Sequence, residues 1–183
     1  MYTPVLILHS WLRWAAIAAG LMAIAAALKN PVEAGREGPV DRWGLAFMVA
    51  MDVQLLLGLV LYLALSPITA AIFNDFGGAM RDPAARFWAV EHVATMLFAV
   101  VMAHVGRVLG RTARTATAKR TRLMACFIAA LIAVLAATPW PGLRSGRPLF
   151  RISAKASEDG HSAMLKPTQG ASGTPIQIPD LQF

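Results

Sequence analysis

Two histidines stand at matching depth in two of the four long apolar runs of this chain. His9 lies a little over one turn into the run 5–28, and His92 a little over one turn into the run 87–109. If successive runs are helices of alternating direction, both imidazoles fall in the same leaflet. The stretch Leu8-His9-Ser10-Trp11-Leu12-Arg13-Trp14 puts His9 and Arg13 at i and i+4, on one helical face. The stretch Arg86-Phe87-Trp88-Ala89-Val90-Glu91-His92 puts Arg86, Glu91 and His92 in the corresponding turns. Ionisable groups inside apolar helices are expensive, so they mark sites where chemistry is expected. Across the diagonal of an up-down bundle, two neutral imidazoles can hold a haem iron axially. Arg13 and Arg86 would then meet the propionates. A histidine also ligates the magnesium of a chlorophyll-type pigment, and residue types do not separate the two ligands.

The competing reading needs no cofactor. His9 hydrogen-bonds Ser10 or a neighbouring helix, Arg13 pairs with Glu91, and Asp52 pairs with Gln54 or with cations of a basic loop. Arg13, Glu91, Asp52 and Gln54 then form a structural polar cluster. Asp52 and Glu91 also allow a weaker alternative, a small proton-coupled transporter. His104 follows His92 by twelve residues, roughly 18 Å along a helix, and Met22 follows His9 by thirteen. A second, His–Met haem is conceivable there, but His104 facing headgroups or a helix neighbour is the plainer expectation. No nucleophile–base set, phosphate loop or hydrolytic motif is present, which points away from a stand-alone enzyme.

The elements that must position these residues are the runs themselves. With 183 residues, 57% of them hydrophobic, and a mean hydropathy of +0.55, the chain is too apolar for an ordinary soluble domain. Runs 5–28, 43–65, 87–109 and 123–143 are each about long enough to cross a bilayer core of roughly 30 Å. The expected fold is all-α: an integral membrane four-helix up-down bundle over 1–143, with an extended, irregular tail over 144–183. The segment 68–76 suits a short interfacial helix. Gly58 and Gly106 suit close helix approach. The lone Cys126 excludes a disulfide framework and is read as a small core or lipid-facing residue.

Charge favours one orientation and argues against one class of partner. The net charge is +7, but Arg107, Arg111, Arg114, Lys119, Arg120 and Arg122 crowd one connection with no interleaved aromatics, which argues for a cytoplasmic loop and against nucleic acid. Adding Lys29, Arg36 and Arg42 makes nine cations on that side against seven on the other (Arg81, Arg86, Arg144, Arg147, Arg151, Lys155 and Lys166), a bias that favours both termini on the opposite, periplasmic side. The first run has no basic n-region and carries Arg13, so it reads as a retained helix rather than a signal peptide. The tail is rich in Gly, Pro, Ser and Thr and cannot bury enough surface to fold alone. It is expected to dock on another membrane-protein subunit.

Leu8–Trp14, Gln54-Leu55-Leu56-Leu57-Gly58-Leu59, Arg86–His92 and Pro139-Trp140-Pro141 together resemble small four-helix bacterial membrane proteins described as cytochrome b-like. The order of signals is also similar to one half of haem A synthase: a histidine with a nearby arginine, then Gln-x-x-Leu-Gly, then a second histidine. Here those positions are His9 with Arg13, then Gln54, Leu57 and Gly58, then His92. The arginine is four residues after the histidine rather than adjacent, and only a single half is present. The resemblance implies haem b ligation by His9 and His92 in a multi-pass protein of the bacterial inner membrane. The expected role is an electron-transfer subunit of a respiratory or photosynthetic complex, with a haem-free accessory subunit as the alternative.

Overall fold

The computed structural model describes residues 1–143 and 145–147, and these are all-helical, with no strand among them. In chain order the helices are α1 (Tyr2–Lys29), α2 (Pro39–Val60), α3 (Pro67–Asn74), α4 (Phe76–Arg81), α5 (Pro83–Arg86), α6 (His92–Arg111) and α7 (Ala116–Ala136). A π-helical turn, Leu61–Leu65, extends α2, and another, Phe87–Glu91, leads into α6. The expected tail from residue 148 onward, and Arg144, lie outside the described residues.

Local chemistry explains the boundaries. Pro39 opens α2, and the Asp41 carboxylate accepts from the Gly38 N–H at 2.9 Å, closing a capping box. Ser66, Asp75, Asp82 and Thr115 cap α3, α4, α5 and α7 by accepting backbone N–H groups. The fourth long helix differs from its expected limits of 123–143. It begins at Ala116 and ends at Ala136, because Thr115 caps it and Lys119, Arg120 and Arg122 are helical rather than loop residues. The expected interfacial segment 68–76 is largely α3.

Three helical stretches, Tyr2–Lys29, Pro39–Leu65 and Pro83–Arg111, are long and apolar enough to cross a membrane. Their large apolar side chains, such as Leu21, Leu56, Leu63 and Phe98, face outward, as lipid contact requires. The protein is therefore read as a membrane protein. In the chain's interior α1 packs on α2 and α7, and α6 packs on the same two neighbours, so α1 and α6 oppose each other diagonally. The core is made of small residues (Ala16, Ala23, Ala99, Ala103, Ala130) around Phe47 and Phe127, whose rings meet edge to face at 5.6 Å. Without water to drive association, such close backbone approach supplies the packing energy. A Cβ on Gly106 would come within 2.8 Å of the Cys126 Cβ, so α6 and α7 can meet here only at glycine.

Candidate functional site

The first turns of α1 and α6 and the last turns of α2 surround an open-mouthed cleft with an inner cavity volume of about 120 Å³. His9 and His92 both line it, from diagonal helices, together with Arg13, Gln54, Trp88 and Arg147. Its other walls are mostly apolar, among them Leu55, Leu59, Met96 and Val100.

His92 is held firmly. Its Nδ1 lies 2.8 Å from the carbonyl oxygen of Ala137, just past the end of α7. A carbonyl can only accept, so Nδ1 carries the proton and Nε2 keeps its lone pair. The Phe87 and Trp88 rings flank the imidazole at 5.7 and 5.5 Å between centroids. His9 is placed differently. The Gln54 amide donates to the His9 carbonyl at 3.0 Å and lies 3.4 Å from His9 Nε2. A Cβ at Gly58 would stand 3.3 Å from His9 Cε1, so glycine leaves the space this ring occupies. Around the cleft, His9 Nδ1, Gln54 Oε1 and Trp88 Nε1 are buried with no hydrogen-bond partner among the described residues. Orphaned polar atoms on three elements around one cleft are what a site for a polar-edged guest looks like.

The two π-helical turns shape the same end. A π turn breaks the usual i→i−4 pairing and leaves carbonyls to be satisfied otherwise. Tyr62 in the first turn donates to the Ala89 carbonyl of the second at 2.6 Å, and Thr69 Oγ1 donates to the Tyr62 carbonyl at 2.7 Å.

Other residues singled out in the sequence sit elsewhere. Arg86 does not line the cleft: its Nε donates to Glu91 Oε1 at 2.7 Å on the exposed side. The expected Arg13–Glu91 pair is thus replaced by Arg86–Glu91. The Arg13 guanidinium lies 5.4 Å from the Trp14 ring centroid. Asp52 faces His104, at 3.6 Å, rather than Gln54 or the basic loop. Met22 points outward. Two cleft residues were not singled out by sequence. Arg147 lies over the Trp88 ring at 4.2 Å, and its Nη1 donates to the Tyr2 hydroxyl at 3.5 Å. Neither residue lies in a pattern that spacing would reveal.

No family model, curated protein or solved structure compared with the chain matches it. Its function must therefore be argued from the cleft.

Proposed function

We propose that the chain is an integral membrane four-helix up-down bundle that holds a b-type haem between α1 and α6. It would serve as an electron-transfer subunit of a larger respiratory or photosynthetic complex in the bacterial inner membrane. The observation that carries this reading is the His92 ring. Its Nδ1 proton is committed to a backbone carbonyl, and its Nε2 lone pair is left for a ligand beside a cleft that a second histidine shares. Metal-ligating histidines are characteristically oriented in this way, by a hydrogen bond from the other ring nitrogen.

The residue set fits the group. His9 and His92 would hold the iron, and Arg13 and Arg147 would balance the charge of its carboxylates. Arg86, engaged with Glu91, is left out of this set. Haem supplies one-electron redox chemistry when bound, with a potential set by its axial ligands and surroundings. The chain's own part is to orient two neutral imidazoles, keep water away with Leu55, Leu59, Met96 and Val100, and place cations at the polar edge. The cations at the adjoining ends of α6 and α7 (Arg107, Arg111, Lys119, Arg120, Arg122), with Arg114 between the helices, support a cytoplasmic assignment for that end, with both termini periplasmic.

Absorption spectra of the detergent-purified full chain, oxidised and dithionite-reduced, test the reading. A b-type reduced-minus-oxidised band that is lost in His92→Ala is expected. A flat visible spectrum from protein purified with its native partners would overturn it and leave a structural accessory subunit.

A further inference from the structure

A second pair of ionisable groups lies outside the cleft, on the outer side of α2 and α6. Asp52 Oδ1 and His104 Nε2 approach to 3.6 Å, while His104 Nδ1 donates to the Val100 carbonyl at 3.0 Å. That separation is within ion-pair range but beyond a hydrogen bond. The Asp52 carboxylate therefore accepts no hydrogen bond among the described residues. Both side chains are open, 45% exposed for His104 and 40% for Asp52.

Position makes this exposure costly. Asp52 is the central residue of the stretch Pro39–Leu65, which places it near the bilayer midplane of a spanning helix. Hydrocarbon solvates neither a carboxylate nor an imidazolium, and such residues ordinarily face protein or a polar cavity. Val49 and Leu56 on α2, and Leu97 and Val101 on α6, are exposed on the same two helices. The α2 stretch is also the least covered of the three apolar ones: 17% of an 18-residue apolar segment within it is buried, against 44% for Tyr2–Lys29.

We infer that this α2–α6 face is an interface with a second copy of the same chain. One acid and one base stand side by side on it, so the patch is complementary to itself. A two-fold axis lays the Asp52 of each copy against the His104 of the other and closes a four-group cluster with no charge left over. A partner helix bearing one sign of charge would satisfy only half of the pair. The inference does not depend on the haem reading.

Cysteine cross-linking of the full-length chain in membranes tests it, in a Cys126→Ala background. Co-expressed Leu56→Cys (α2) and Val101→Cys (α6) chains are expected to give a mixed disulfide-linked dimer, because the axis sets α2 of each copy against α6 of the other; Leu21→Cys, exposed on α1, paired with Val101→Cys is not. Adding Asp52→Ala or His104→Ala to both chains should lower the cross-linked fraction severalfold, and the exchange Asp52→His with His104→Asp in both should restore it. Helix content by circular dichroism separates loss of the interface from loss of the fold, and the Leu56→Cys and Val101→Cys pair alone reports the interface if the alanine variants do not fold. No dimer from that pair, equal dimer from the Leu21→Cys pair, or an adduct only with a different polypeptide would overturn the inference.

Discussion

The two ends of the helices use polar groups in opposite ways. At the end formed by the α1–α2 and α6–α7 connections, the buried charges are matched to one another. Lys119 Nζ donates to Asp41 Oδ2 at 2.8 Å and to the Arg36 and Glu33 carbonyls at 2.7 and 3.2 Å, which uses all three of its protons. Arg107 donates to the Asp41 carbonyl, and Arg120 takes up the Ala27 and Leu28 carbonyls left over at the end of α1. At the histidine end the buried polar atoms His9 Nδ1, Gln54 Oε1 and Trp88 Nε1 have no partner among the described residues, around an open cleft. The matched end ties the helices to one another; the unmatched end sets buried polar atoms beside open space, as the proposed ligand would require. Substitutions at the first should therefore cost stability, and substitutions at the second should cost ligand.

The largest effect is expected at Lys119. Lys119→Met strands the buried Asp41 carboxylate, and breaking such a pair costs about 3–5 kcal/mol. Thermal unfolding in detergent should show a large drop in Tm, part of which Asp41→Asn recovers when added. Equal destabilisation by Lys119→Met and by the double variant would break the contrast. Next comes Arg120→Ala, which removes two hydrogen bonds to the last turn of α1 at a cost of about 1.5 kcal/mol. Faster amide exchange confined to the end of α1 would accompany it.

Effects at the other end should be smaller. Tyr62→Phe leaves the Ala89 carbonyl of the π-helical turn without its donor, a loss of about 1 kcal/mol. Its signature is a local increase in amide exchange over Phe87–Glu91 rather than global unfolding. Gln54→Leu removes one hydrogen bond but also an orphaned oxygen, so Tm should move by no more than about 0.5 kcal/mol equivalent, while ligand binding weakens because the His9 side chain loses its amide neighbour. A Tm loss from Gln54→Leu as large as that from Lys119→Met would remove the distinction between the ends.

The same contrast explains what could be read in the sequence. The apolar runs announce the long helices, and the depth of His9 and His92 announces their meeting, because both signals are local periodicities. The start of α7 was not legible: Lys119, Arg120 and Arg122 look like a loop by charge, and only the tertiary structure reveals Lys119 and Arg120 as donors to the α1–α2 side. Arg86 was assigned to the cleft because it falls in the helical turns that correspond in depth to Arg13. The wider π-helical turn Phe87–Glu91 instead lets Arg86 reach Glu91. Arg147 was invisible for a different reason. It follows α7 through a turn in which Gly142 adopts a φ of 91°, and no spacing rule returns such a residue to the start of α1 and α6.

We propose that the unmatched end binds a porphyrin through His9 and His92 while the matched end holds the fold. Porphyrin content per chain, measured together with Tm on protein purified from its native membrane, tests it most directly in wild type, His9→Ala and His92→Ala. Stoichiometric haem in the wild type, lost in both variants with helical structure retained, is the expected result. Wild-type protein without porphyrin, or a His92→Ala variant that keeps its full content, would contradict it.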